Sequence, residues 1–214
     1  MLDDSDCFPQ PGESVGQVPL FPLPNVVLFP KAMLPLHIFE ERYKAMTARA
    51  LETDKRIAMA LLCPGWEKCY TGQPKIESIV CIGKIVAHER LPDGKYNFLL
   101  QGTDRAQIVR EIQSHPYRIA ELNSLPELPA MEIDLCNQRR RLISVFSNGR
   151  FSSVPLCQKF LEMLASSLPT SQIVDVLAFS LLEDITVKQQ LLAETNPRRR
   201  AERVAAALEN LQPV

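Results

Sequence analysis

An excess of charge of either sign is missing from this chain. Its 214 residues carry 24 basic and 25 acidic side chains, a formal net charge of −1. No global field draws it to nucleic acid or to an anionic membrane surface. Long apolar runs are missing too, since proline or charge breaks each one well short of the roughly 20 residues a membrane span requires. The start, MLDDSDCFPQ, is acidic where a secretory leader would be basic and then apolar. The expectation is a cytoplasmic protein that makes no membrane contact.

Motifs that carry chemistry are equally scarce. The cysteines Cys7, Cys63, Cys69, Cys81, Cys136 and Cys157 are scattered along the chain, which reads as reduced thiols rather than a disulfide framework. The gap in CPGWEKC is wider than a zinc knuckle, and no second Cys or His pair follows at metal spacing, so no metal is expected. Neither Gly83-Lys84 nor Gly94-Lys95 is followed by Ser or Thr, and no glycine lies five residues before either, which excludes a phosphate loop. No G-x-S-x-G elbow and no H-E-x-x-H helix is present, and His37, His88 and His115 stand far apart. His88 reads as a solvated strand residue. No catalytic residue and no cofactor is expected.

What is present is a chain with 46% apolar and 23% charged residues, which places it among globular proteins rather than disordered ones. Seven of the eight glycines and thirteen of the seventeen prolines precede residue 131. Strands and turns should therefore occupy the first three fifths and helices the rest, with ELNSLPELPAM as the junction. IAMALLC suits a strand buried on both faces. IVCIGKIVAHERL, PDGK and YNFLLQG make a hairpin turning at Asp93 and Gly94; with Leu91 opposite Tyr96, Ile85, Ala87 and Leu91 share a face with Tyr96, Phe98 and Leu100. RAQIVREI and YRIAELNSL read as two further strands. One helix interrupts them, with Phe39, Tyr43, Met46 and Ala50 on a single stripe.

After residue 131 the apolar period is helical in IDLCNQRRRLISVF, LCQKFLEMLASSL, SQIVDVLAFSLL, TVKQQLLAE and RRRAERVAAALENL, with breaks at Gly149, Pro155, Pro169 and Pro197. The triplets Arg139 to Arg141 and Arg198 to Arg200 fan around their helices and read as solvated surface. Trp66 and Tyr70, in the Pro- and Gly-rich PGWEKCYTGQP, are candidate contact aromatics; local packing is the competing reading.

The segment VPLFPLPNVVLFPKAMLPLHIFEERYKAM holds five prolines among residues that bury well in strands. It resembles the start of the Lon protease amino-terminal domain family, in which P-L-F-P-L-x-x-V-V-L-F-P is followed by L-P-L-x-I-F-E-x-R-Y. The resemblance continues through IAMALLCPGWE, through VCIGKIVAHERLPDGKYNFLLQGTDRAQI with its G-x-I and G-x-x-R-A-x-I elements, and into LAETNPRRRAERVAAALENL. It covers roughly residues 17 to 212.

The resemblance implies an α+β protein: a PUA-like strand-rich barrel with one inserted helix, followed by a C-terminal helical bundle. The corresponding division is a flexible segment 1–16, a β domain 17–128 and a helical domain 129–214. It further implies a free-standing, non-catalytic module that binds unfolded polypeptide or a protein partner, because the family's phosphate loop and Ser-Lys dyad are both lacking. Met33, His37, Phe39, Trp66 and Tyr70 are the candidate polypeptide-binding residues. RNA binding is the alternative, since PUA-like folds occur in RNA-modifying proteins, although the near-zero net charge opposes it. Asn25 to Phe29 should form a short strand bounded by prolines, and Pro35 should interrupt the next strand at an edge or bulge.

Overall fold

A computed structural model describes residues 12–69, 72–112, 116–148, 151 and 156–211. The expected flexible segment lies outside them through residue 11, as do His115, Gly149 and Pro155. Six strands and six α-helices occupy the described residues: β1 (Ser14–Leu23), β2 (Met33–Ile38), α1 (Glu41–Glu52), β3 (Arg56–Leu61), β4 (Ile79–Arg90), β5 (Tyr96–Ile112), β6 (Arg118–Ser124), α2 (Glu132–Ser147), α3 (Cys157–Ala165), α4 (Thr170–Leu181), α5 (Ile185–Ala193) and α6 (Pro197–Asn210). Apart from α1, strands come first and helices last, as the distribution of glycine and proline suggests.

The strands pair in the order β2-β5-β4-β3-β1-β6, and β5 pairs with β6 as well. Pairing thus returns to β5, leaving β2 outside the circuit. Val18, Leu20, Ala58, Ala60, Val80, Ile82, Ala106, Ala120 and Leu122, drawn from all five strands of the circuit, form one small buried cluster. Its alanines fit the tight spacing that such a closed pairing imposes. Alternate residues of the same strands, among them Phe21, Ile57, Met59 and Cys81, join a larger cluster with α1, α2, α3, α4, α5 and α6. β3 is accordingly buried on both faces.

Two prolines lie inside β1 rather than at its ends. β6 pairs with β1 along Ser14 to Leu20, whereas β3 pairs along Leu20 to Leu23. Pro19 and Pro22 therefore each face a partner strand on one side only, and neither interrupts a second ladder. The strand expected at Asn25 to Phe29 does not form; those residues are irregular, with Val27, Leu28 and Phe29 buried. What holds them is the chain crossing at Gly102, where a Cβ would lie 2.0 Å from the Phe29 carbonyl oxygen. Only glycine allows that approach.

Three other readings are corrected by the register. YNFLLQG and RAQIVREI are one seventeen-residue strand, β5, not two. Arg90, not Leu91, stands opposite Tyr96, and a bulge between Ile85 and Ala87 shifts the register by one residue more. Ile85 still shares a face with Leu100, which it stands opposite, but Ala87 meets Leu99 on the exposed face. Phe39 precedes α1 and is 61% exposed, while Tyr43, Met46 and Ala50 form the buried stripe.

The arginine triplets are not uniformly solvated. Arg139, on α2, donates to the carbonyls of Leu164, Ser166 and Leu168, satisfying acceptors left over at the end of α3. Arg200 is fully buried, on the same stripe of α6 as Val204 and Leu208. Its Nε lies 2.9 Å from Asp175 Oδ1 of α4, and its Nη2 meets Glu127 Oε1. Arg105, from β5, donates to the same Asp175 oxygen at 2.6 Å, to Glu127 at 3.2 Å and to the Leu192 carbonyl at 2.9 Å. Two guanidinium and two carboxylate groups thus join the sheet, the 125–130 connection and three helices. Asp175→Ala leaves both arginines facing a gap and should cost about 3–5 kcal/mol, measured by urea unfolding.

Candidate functional site

β2 alternates. Leu34, Leu36 and Ile38 turn inward, while Met33, Pro35 and His37 are exposed and Phe39 continues the row. Three of the residues expected to contact polypeptide, Met33, His37 and Phe39, therefore share one exposed row. The His37 and Phe39 rings stack with centroids 6.2 Å apart, and His37 Nδ1 donates to Asn97 Oδ1 at 2.7 Å. Pro35 stands on the edge strand that its ring suits.

Cross-strand register extends this row into a surface. Pro35 is opposite Leu99, which is opposite Ala87; His37 is opposite Asn97, which is opposite Glu89. Because paired residues point to the same side, an apolar band of Pro35, Leu99 and Ala87 crosses three strands beside a polar band. The same residues, with Leu36, His88 and Phe98, line a shallow groove. His88 is exposed at the groove, as a strand residue should be. Nothing in the sequence of β5 alone identifies Leu99 as part of this surface; the bulge at Val86 decides which β4 residue meets it.

Trp66 is elsewhere. It occupies a short 3-10 turn, Trp66–Cys69, on an excursion closed by the Cys63 amide donating to the Lys75 carbonyl at 2.9 Å. Its indole is half-buried. Tyr70 lies outside the described residues. The return limb, Gly72 to Pro74, lines a second concavity of about 220 Å³ with Pro22, Pro24, Glu40, Arg42, Tyr43, Leu62, Tyr117 and Arg118. Trp66 lines neither concavity. Sequence reasoning placed Tyr43 in a buried stripe and missed the cleft, because its walls come from segments as distant as Pro22 and Tyr117.

Among the described residues, neither surface brings together a nucleophile and a base. The buried Cys81 thiol is pushed up by burial, and Cys63 is raised by burial and then by the carboxylate of Glu77. Neither has the depressed thiol pKa that marks a nucleophile. Among the described residues, no group of three or more His, Cys, Asp or Glu side chains is placed to hold a metal ion. Nor is any helix among them long and apolar enough to cross a membrane.

Comparisons with known proteins match this strand circuit and its helices together. The model of the ATP-dependent protease La (LON) substrate-binding domain matches residues 17–210. The chain belongs to this family. Lon protease 1 of Syntrophobacter fumaroxidans is 26% identical over 91% of this chain, and Lon protease 3 of Sorangium cellulosum is 27% identical over 88%. The chain spans about a quarter of the length of these relatives, 24% and 23% respectively. The solved amino-terminal domain of a Mycobacterium avium complex Lon protease superposes with a TM-score of 0.70 at 15% identity, covering 91% of this chain and 98% of that one. A Lon N-terminal domain protein from Xanthomonas campestris gives 0.65 at 21% identity, with 90% and 98% coverage. The match to the substrate-binding domain family falls on both the strand and the helical parts.

The two classes of apolar residue in this Lon-family domain should separate in stability measurements. Phe29→Ala, at a fully buried position, should cost about 3–5 kcal/mol in urea unfolding. Phe39→Ala, at an exposed one, should stay within about 0.5 kcal/mol of the parent.

Proposed function

We propose that this protein is a non-catalytic, cytoplasmic polypeptide-binding module, an adaptor or recogniser of unfolded protein. The observation that carries this reading is the exposed row Met33, Pro35, His37 and Phe39 beside Leu99 and Ala87, on a chain belonging to a substrate-binding family. Exposed apolar side chains grouped on a sheet face offer contact area to the side chains of an unfolded chain. Binding is assigned to the β part, residues 17–128, and support to the helical part from residue 129. The return of strand pairing from β6 to β5 supports a PUA-like barrel as the frame of that β part.

Trp66 is assigned a supporting contact from its own excursion. An aromatic already held half-buried loses little side-chain freedom on binding. No step of peptide-bond cleavage is assigned to this chain: Cys63, whose Sγ lies 3.8 Å from Glu77 Oε1, is raised by burial and by that carboxylate rather than activated.

Titration of fluorescein-labelled, reduced and carboxymethylated lactalbumin with the protein should give a saturable anisotropy change. Met33→Ala/Phe39→Ala should weaken it by about tenfold, the equivalent of about 1.4 kcal/mol, while Trp66→Ala costs at least about 1 kcal/mol of binding. No saturable change up to high micromolar protein overturns the reading. A salt-dependent mobility shift with single-stranded RNA, in the absence of any response to lactalbumin, would replace it with RNA binding. With casein, ATP and magnesium, acid-soluble peptides should not rise above background.

A further inference from the structure

β2 has a partner on one side only: among the described residues it pairs with β5 and with no other strand. Which backbone groups point to the open side follows from one hydrogen bond. Gly102 N–H donates to the Ala32 carbonyl at 2.9 Å, in the same register that sets Met33 opposite Gln101. In an antiparallel ladder, hydrogen-bonded pairs recur at every second residue. Leu34, Leu36 and Ile38 therefore turn their amides and carbonyls toward β5, and Met33, Pro35 and His37 turn theirs outward. Proline at position 35 costs the sheet nothing, because its missing N–H belongs to the outward set. The open side carries the N–H groups of Met33 and His37 and the carbonyls of Met33, Pro35 and His37.

We infer that this edge takes up an extended polypeptide segment as an added strand, and that this is how the polypeptide binding proposed above is achieved. The inference rests on that reading and specifies its mode. Unpaired backbone donors and acceptors at two-residue spacing match only another extended backbone. The occupant is a foreign segment rather than a second copy of this chain. Two copies of β2 paired about Pro35 would lose both central bonds, since each proline lacks its donor. A segment with an ordinary residue opposite Pro35 loses only one and still donates to the Pro35 carbonyl. Pro35 thus disfavours self-pairing while leaving hetero-pairing nearly intact.

The side chains of an added strand continue the bands already present. The residue beside Pro35 extends the Pro35–Leu99–Ala87 band, which favours aliphatic or aromatic side chains at alternate positions of the segment. Its amides facing the edge must be free, so a proline there is excluded. Phe39 and Met33 flank the two ends of the row and add apolar contact without demanding a sequence.

The test separates backbone from side-chain recognition. Met33→Pro/His37→Pro removes both outward donors and is compared with Met33→Ala/His37→Ala, which keeps them. Lactalbumin, unfolded as above, should bind the proline variant at least about tenfold more weakly than the alanine variant, as loss of two hydrogen bonds implies. In parallel, a labelled peptide of about seven residues alternating Val and Thr, a usual strand length, is made in two isomers N-methylated at alternate amides. One isomer should lose binding to the parent protein and the other keep it. Equal binding by the proline and alanine variants, with equal binding of the two isomers, overturns edge addition while polypeptide binding stands. Failure of the parent protein to bind lactalbumin at all overturns both. Should the proline variant not fold, the pair of methylated isomers decides alone.

Discussion

The structure depends on an ion network that contains its own counter-charges. Arg105 and Arg200 share one oxygen of Asp175, and Glu127 meets both guanidinium groups from the connection between strands and helices. Both arginines and Asp175 are almost wholly buried, so the cost of dehydrating them is met only if every partner is in place. Leu192 and Glu194 supply carbonyls that occupy further donors. An interaction of this kind is directional where apolar packing is not. It sets where α4 and α6 lie against β5, and the large apolar cluster fills the space so defined.

This arrangement also explains which part of the sheet stays open. The helices cover one face of the strands, β3 is buried on both, and the pairing circuit gives β1, β3, β4, β5 and β6 two neighbours each. Among the described residues, β2 lies outside the circuit and pairs on one side only along its whole length. Its composition suits that position: residues with large apolar side chains face inward, and a proline faces outward where it removes a donor from the exposed edge. The same proline that limits self-association leaves a usable row of carbonyls. On the edge addition proposed above, protection against self-pairing and capacity for binding come from one residue's geometry.

The prolines that dominate the opening segment serve different ends. Pro19 and Pro22 are tolerated because the two partners of β1 are staggered, each covering a different stretch. Pro24 and Pro30 bracket a buried irregular crossing, for which glycine at position 102 makes room. Only Pro35 faces outward from an edge. Residues that look alike in sequence are distinguished by which neighbour lies beside them.

By itself, the sequence determined the division into a strand-rich first part and a helical second part, the hairpin at Asp93 and Gly94, and the family, because each follows from short-range period, turn chemistry or a linear motif. It did not determine the registers: a bulge at Val86 shifts Ala87 to the other face, and no local pattern distinguishes that from the regular alternative. Nor did it reveal that Arg200 is buried, although the i to i+4 spacing to Val204 was a signal that the surrounding arginines obscured. The cleft between Pro22, Tyr43 and Tyr117, the ion network and the open side of β2 were decided by tertiary structure alone. Each is a relation between segments many residues apart, and charge pairing, pleat direction and edge exposure acquire meaning only when those segments meet.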